Sequence, residues 1–344
     1  MPTRGIYTLA NDVVFDQLIA LLNSIEKNVG SKLPICVIPY DDRLEKVKQG
    51  IAEYPQVSLF SDQTSLRRWD EFATEIWNAH PEESNPTRTR PKWYTGRPRW
   101  YRGKLQRKLC AFDGEFDVFA FYEADNLAMC SLERLFEKLE TYDYVFDDWE
   151  HTKSLEHAAL DIPLMEKASF YTEEDIRPKL HCGSFWGSKK GFFSPDELQL
   201  YRKRLLEHRE VEWINGNGFW DDVYLFNYLT FLSGRKQFNF TLSDKFSDKT
   251  GNIAGVDPFV QQNNVLFNEQ GHKPIHRIHY MNYSSRDFAR LCQGEDTKIR
   301  YQDVFLYYRY LHQPQIRPQT LHPPTLLTKA DRFRELVWQR LKRI

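Results

Sequence analysis

The chain has 344 residues, 41% of them apolar and 28% charged, with a formal net charge of -1. That balance argues against a dedicated nucleic-acid binder, which usually carries a large basic excess. No run approaches the roughly 18 consecutive apolar residues of a spanning helix, and the five cysteines form no C-x-x-C pair. Residues 1–5 lead into a strand pattern without a signal-peptide apolar core, so a cytoplasmic protein with free thiols is expected.

Residues 5–10 read as a buried strand, and residues 12–28 as a helix with Val14, Leu18, Leu21, Leu22 and Ile25 on one face. A strand over 34–39, a helix over 44–54 and a strand over 57–60 follow. Ser61 or Asp62 can cap the next helix, which carries Trp69, Phe72, Ile76 and Trp77. Further strands are expected over 117–122, 142–146, 180–187 and 273–280, with a helix over 195–208 and another starting near residue 220. Strands alternating with helices imply an α/β fold, its mostly parallel central sheet covered by helices on both faces. Residues 1–312 read as one domain. Residues 313–344 read as an extension whose last part is amphipathic, with Phe333, Val337, Leu341 and Ile344 on one face and Arg and Lys on the other. Such a helix can lie on an anionic membrane or dock its apolar face on the protein's own core.

The most informative stretch is Tyr122-Glu123-Ala124-Asp125-Asn126, where a bulky apolar run ends in two carboxylates. Ligands of such sheets bind beyond the carboxyl ends of the strands. Paired carboxylates there suit Mg²⁺ or Mn²⁺ on a phosphate-bearing substrate; an acidic turn with a helix cap is the plainer alternative. The same rim gathers Thr8, Asn11, Asp12 and Asp41, for which base or ribose contact competes with simple helix capping. Residues 88–108 hold nine Arg or Lys and no acid, interleaved with Trp93, Tyr94, Trp100 and Tyr101. In a chain of balanced charge we read this as a cover for a diphosphate or an acceptor rather than a nucleic-acid grip.

Four blocks of the chain resemble GT-A glycosyltransferases, whose sheet is Rossmann-like, and especially the glycogenin and bacterial galactosyltransferase type of family 8. They are Ile6–Asp12 with the helix through Ile25, Lys108-Leu109-Cys110-Ala111-Phe112, Asp222 through Asn227, and Ile278-His279-Tyr280. Glu123-Ala124-Asp125 stands where the family has Asp-x-Asp, and His181-Cys182-Gly183-Ser184 loosely echoes its Asn-Ser-Gly block. The resemblance implies transfer of a sugar from a nucleotide-diphospho-sugar, UDP-linked in preference to GDP-linked, to a hydroxyl of a glycan, lipid or small-molecule acceptor. It further implies Mn²⁺ or Mg²⁺ held by Glu123, Asp125 and His279, with Lys108, Arg102 and Lys104 supplying charge to the diphosphate. Asp222, with Asp221 beside it, is implied at the sugar or acceptor. His276 is the weaker metal-ligand alternative to His279, because successive strand residues face opposite sides. A nucleotidyltransferase would carry a Gly-rich loop after the first strand, where this chain has Leu9-Ala10-Asn11-Asp12. A non-catalytic nucleotide- or carbohydrate-binding homologue is the third reading.

Overall fold

The computed structural model describes residues 2–81, 104–215, 222–245 and 249–324, with only the backbone of Asp222. Apolar, β-branched and aromatic residues build β1 (Arg4–Ala10), β2 (Ile35–Pro39) and β3 (Val57–Leu59), connected by α1 (Phe15–Asn28) and α2 (Glu45–Ile51). The helix expected from residue 12 opens with a separate 3-10 turn, Asp12–Val14, capped by Asn11. Helix α3 (Gln63–Ala79) is capped by Asp62, whose carboxylate accepts from the N–H groups of Thr64 and Ser65. A 3-10 helix, Gln106–Asp113, then leads to β4 (Val118–Glu123) and the short β5 (Asn126–Ala128).

Helix α4 (Glu133–Leu139), β6 (Tyr144–Phe146), α5 (Ile162–Ala168) and α6 (Glu173–Ile176) come next. They are followed by β7 (Phe185–Lys189), α7 (Pro195–Glu207), α8 (Asp222–Leu232) and β8 (Gln237–Asn239). The strand expected over 180–187 begins only at Phe185. The segment before it is bonded to the α8 side chain Asn227, which accepts from the N–H of His181 and donates to its carbonyl. A hairpin of β9 (Val260–Gln262) and β10 (Val265–Phe267), then β11 (Arg277–His279), α9 (Ser285–Cys292) and α10 (Gln302–Arg309) complete the described chain.

The main sheet has seven strands in the order β3-β2-β1-β4-β7-β6-β8. All but β7 run in one direction, since β7 pairs antiparallel with both neighbours while the other pairings are parallel. This is the mostly parallel α/β sheet that the strand–helix alternation predicts. Alternate residues of β1 and β4 feed two apolar layers. Tyr7, Leu9, Phe119 and Phe121 face one core with residues of α3, α7 and α8, while Ile6, Ala10, Ala120 and Tyr122 face α1, α2 and α4. A third core joins β5, β11, α9 and α10, which places β11 against the turn leaving β4. Among the described residues no helix is long and apolar enough to cross a membrane, and all five cysteines are free.

Candidate functional site

Direction decides where the site lies. Because β1, β2, β4 and β6 are parallel, their carboxyl ends share one rim, and antiparallel β7 starts there. Glu123 is the last residue of β4, and Asp125 sits in the turn before β5. Strand β11 pairs antiparallel with β5 so that His279 faces Asn126 across the ladder. The turn is held from both sides. The Tyr280 N–H donates to the Asp125 carbonyl at 3.0 Å, and the Glu123 N–H donates to the Ser184 carbonyl at 2.9 Å. Three residues read as metal ligands, 156 positions apart at the extremes of Glu123 and His279 (279 − 123), are thereby brought together.

His279 Nε2 stands 3.4 Å from Asp125 Oδ1 and 3.5 Å from Glu123 Oε2. One donor atom from each of the three lies within 4.8 Å of the others. These separations are long for hydrogen bonds, and the buried Asp125 Oδ1 has no hydrogen-bond partner. A divalent cation among these atoms would give that oxygen a direct partner. Two carboxylates and one imidazole are also a donor set suited to Mn²⁺. The residues present therefore fit such an ion.

Lys108 completes the electrostatics. Its ammonium is fully buried and donates to Glu123 Oε1 at 2.5 Å and to the Gly183 carbonyl at 3.1 Å. Burial raises the cost of charge on Glu123, yet Lys108, then His279, hold its carboxyl below the ordinary glutamate range. Burial likewise opposes ionisation of Asp125, but His279 dominates and lowers it. For His279 burial favours the neutral ring, and the two carboxylates overcome it, raising the imidazole to about 9. Two anions and two cations thus balance among these four side chains. Lys108 grips one oxygen of Glu123, which leaves Oε2 turned to the His279 side.

The other rim residues make a separate web bonded within the protein. Asn11 caps the 3-10 turn through the Val13 N–H and donates from Nδ2 to Asp41 Oδ2 at 3.0 Å. Asp12 accepts the N–H groups of Glu45 and Val47, both at 3.0 Å, and so caps α2 from outside. Asp41 is held below the usual carboxyl range, against partial burial, by Arg43 and by hydrogen bonds from Arg43 and Asn11. Thr8 is fully buried in β1, between Tyr7 and Leu9 of the opposite face, and its hydroxyl is unpartnered. Lys104 pairs with Asp70, which Arg107 also binds through Nη2 at 2.7 Å. His276 does not join the three-residue cluster; its Nδ1 stands 3.0 Å from Asp147 Oδ2. Asp221 and Arg102 lie outside the described residues, as do the Asp222 side chain, most of the basic stretch 88–108 and the amphipathic segment 329–344.

Sequence reasoning passed over Asp147, Asp148 and Arg277. Asp147 and Asp148 follow β6 just as Glu123 ends β4, so the same strand-end rule would have flagged them. Arg277 was detectable as the residue two before His279 and on its face of the strand. Asp148 is buried, and its carboxyl is pushed up to about 7 by that burial and by Glu150, against the N–H groups of Cys182 and Glu150 that it accepts.

No family model matches the chain, and no curated protein matches it. Among solved structures it is similar to the bifunctional glycosyltransferase WbbM in its apo form, at 12% identity and a TM-score of 0.49, over 93% of this chain. The chain spans about half the length of that protein, covering 52% of it. It is also similar to the galactosyltransferase LgtC in complex with donor and acceptor sugar analogs, at 11% identity and a TM-score of 0.47, over 88% of this chain and 95% of that one. A third is core-mannan synthase A from Aspergillus fumigatus in its Mn/GDP form, at 12% identity and a TM-score of 0.39, over 67% of this chain and 69% of the other.

Proposed function

We propose that the chain is a metal-dependent glycosyltransferase. It moves a sugar from a nucleotide-diphospho-sugar, UDP-linked before GDP-linked, to the hydroxyl of a glycan, lipid or small-molecule acceptor. The observation that carries this reading is the meeting of Glu123, Asp125 and His279 at the carboxyl end of β4, with the buried Lys108 ammonium behind them. Asp125 and His279, with Oε2 of Glu123, would hold Mn²⁺ or Mg²⁺, which when bound supplies neutralising charge to the leaving diphosphate.

The protein's own residues supply the setting. Lys108 fixes the Glu123 carboxylate and adds a positive charge that water cannot screen. With His279 neutral as a ligand, a dication and Lys108 outweigh the two carboxylates by one charge. That surplus favours a diphosphate over a neutral molecule. Thr8, Asn11, Asp12 and Asp41 are the proposed base and ribose contacts, and Arg102 and Lys104 the proposed further cations. Asp222 and Asp221 are proposed at the transferred sugar or the acceptor. A lipid acceptor would go with peripheral membrane contact by residues 329–344 of an otherwise cytoplasmic protein, which flotation with anionic vesicles would detect.

Thermal-shift measurements with UDP-, GDP-, ADP- and dTDP-sugars, each with and without Mn²⁺, test the reading. A Mn²⁺-dependent rise in melting temperature with one nucleotide, lost in Asp125→Ala, is expected. A folded protein that responds to a nucleotide-sugar without regard to Mn²⁺ would be a binding module. No response to any of the four would sink the transferase reading.

A further inference from the structure

Among the described residues Arg277 is the largest charged side chain that is completely buried. It lies two residues before His279, hence on the same face of β11. Its Nη1 donates to the Asp147 main-chain carbonyl at 2.9 Å and stands 3.4 Å from the Asp147 carboxylate, at the end of β6. Its Nη2 donates to Ser184 Oγ at 3.0 Å, at the mouth of β7. The guanidinium carbon lies 5.0 Å from the centre of the Phe185 ring.

Ser184 is one hydrogen bond, and Asp147 two, from a member of the cation site. The Ser184 carbonyl accepts the N–H of Glu123 at 2.9 Å. The Asp147 carbonyl also accepts Asn252 Nδ2 at 3.1 Å, and the Asn252 carbonyl accepts the N–H of His279 at 2.6 Å. Strand β11 belongs to a two-stranded sheet of its own and shares no ladder with the seven-stranded sheet. Main-chain bonds hold β11 to β5 and to Asp125, while its attachment to the ends of β6 and β7 is made through side chains.

Stability is a poor reason for such a residue. A buried ion pair is often matched or bettered by apolar side chains of similar volume, since desolvation cancels much of the attraction. Arg277 Nε and Asp147 Oδ1 even lack hydrogen-bond partners. What an apolar pair would not supply is a planar, two-armed donor that fixes two strand ends at once.

We propose that Arg277 is a positioning residue of the cation site. Through Asp147 and Ser184 it ties β11 to the rim of the large sheet and sets His279 against Glu123 and Asp125. This rests on the reading of those three residues as metal ligands. Groups that orient a ligand from behind typically change metal affinity 10- to 100-fold when removed.

The test uses the full chain, with Mn²⁺ alone as the probe, followed by the electron paramagnetic resonance of the free ion. Metal-free melting is recorded in parallel. The double variant Arg277→Met with Asp147→Leu is expected to melt near the unaltered protein but bind Mn²⁺ about 10- to 100-fold more weakly. Arg277→Lys, which keeps the charge but lacks the planar two-armed fork, is expected to fall between them and decides the matter if the double variant does not fold. Unchanged Mn²⁺ affinity in a folded variant overturns the role given to Arg277. Loss of affinity that only follows loss of melting temperature overturns it as well. Failure of the unaltered chain to bind Mn²⁺ overturns the metal reading itself, a different result from either.

Discussion

Lys108 Nζ and Glu123 Oε1 stand 2.5 Å apart, the first fully buried in the 3-10 helix and the second at the end of β4. The pair gives the chain's Glu-x-Asp a different starting point from two free carboxylates, because one oxygen of Glu123 already has a cation. It also ties the 3-10 helix to the strand end that carries the site.

Removing one partner should cost more than removing both. Lys108→Met leaves the part-buried Glu123 carboxylate between a like charge on Asp125 and the His279 imidazole, and a loss of about 2–4 kcal/mol is expected. Combining it with Glu123→Gln should recover most of that loss in metal-free chemical denaturation. A double variant no more stable than Lys108→Met would show that the ion pair is energetically idle.

Asp148 should make stability fall with rising pH. Its carboxyl is raised to about 7 in the folded chain, above the ordinary value of 3.8. The folded state therefore holds a proton more tightly than the unfolded one. That contribution is complete below about pH 4 and is lost as pH rises through 7. Asp148→Asn lacks the titration, so its unfolding free energy relative to the unaltered protein should climb between pH 5 and pH 8, by an amount on the order of a few kcal/mol in urea denaturation. A constant difference across that range would show that Asp148 ionises normally.

Asp12 should prove to be a cap whatever else it touches. Asp12→Ala removes the acceptor for the Glu45 and Val47 N–H groups and should destabilise the metal-free protein by about 1 kcal/mol. Nucleotide affinity, measured separately by calorimetry, tells whether it also meets the donor: a loss well beyond that expected from a loosened α2 marks a direct contact.

Phe112 anchors the segment that delivers Lys108. Its ring packs on Trp186 at 5.1 Å, Phe193 at 4.9 Å and Phe119 at 5.6 Å between centroids. Phe112→Ala should cost about 3–5 kcal/mol by opening a cavity there. Phe112→Leu should cost clearly less, and equal losses in urea denaturation would place the effect outside packing.

Much of the first half was legible because its signals are local. The apolar runs of β1, β2 and β4 are buried on both faces, so composition alone marks them as interior strands, and Asp62 announces α3 by the spacing of a side-chain cap. The later strands were less readable. Tyr144–Phe146, Gln237–Asn239 and Asn126–Ala128 are three residues each, too short for a periodic pattern, and the last two were not anticipated at all. The rim residues were found by the strand-end rule, but their bonds were not. Asn11, Asp12 and Asp41 each carry a structural hydrogen bond that spacing cannot distinguish from a ligand contact.

By itself the sequence determined the strand–helix alternation, the parallel bias of the sheet and the acidic end of the fourth strand, since burial period and capping chemistry act over a few residues. Only the tertiary structure decided that His279 meets Glu123 and Asp125, that Lys108 spends its charge on Glu123, and that Arg277 braces the strand between them. Those contacts join positions 15 to 156 residues apart (123 − 108 and 279 − 123), and their energies arise from a shared low-dielectric interior that does not exist until the sheets close around it.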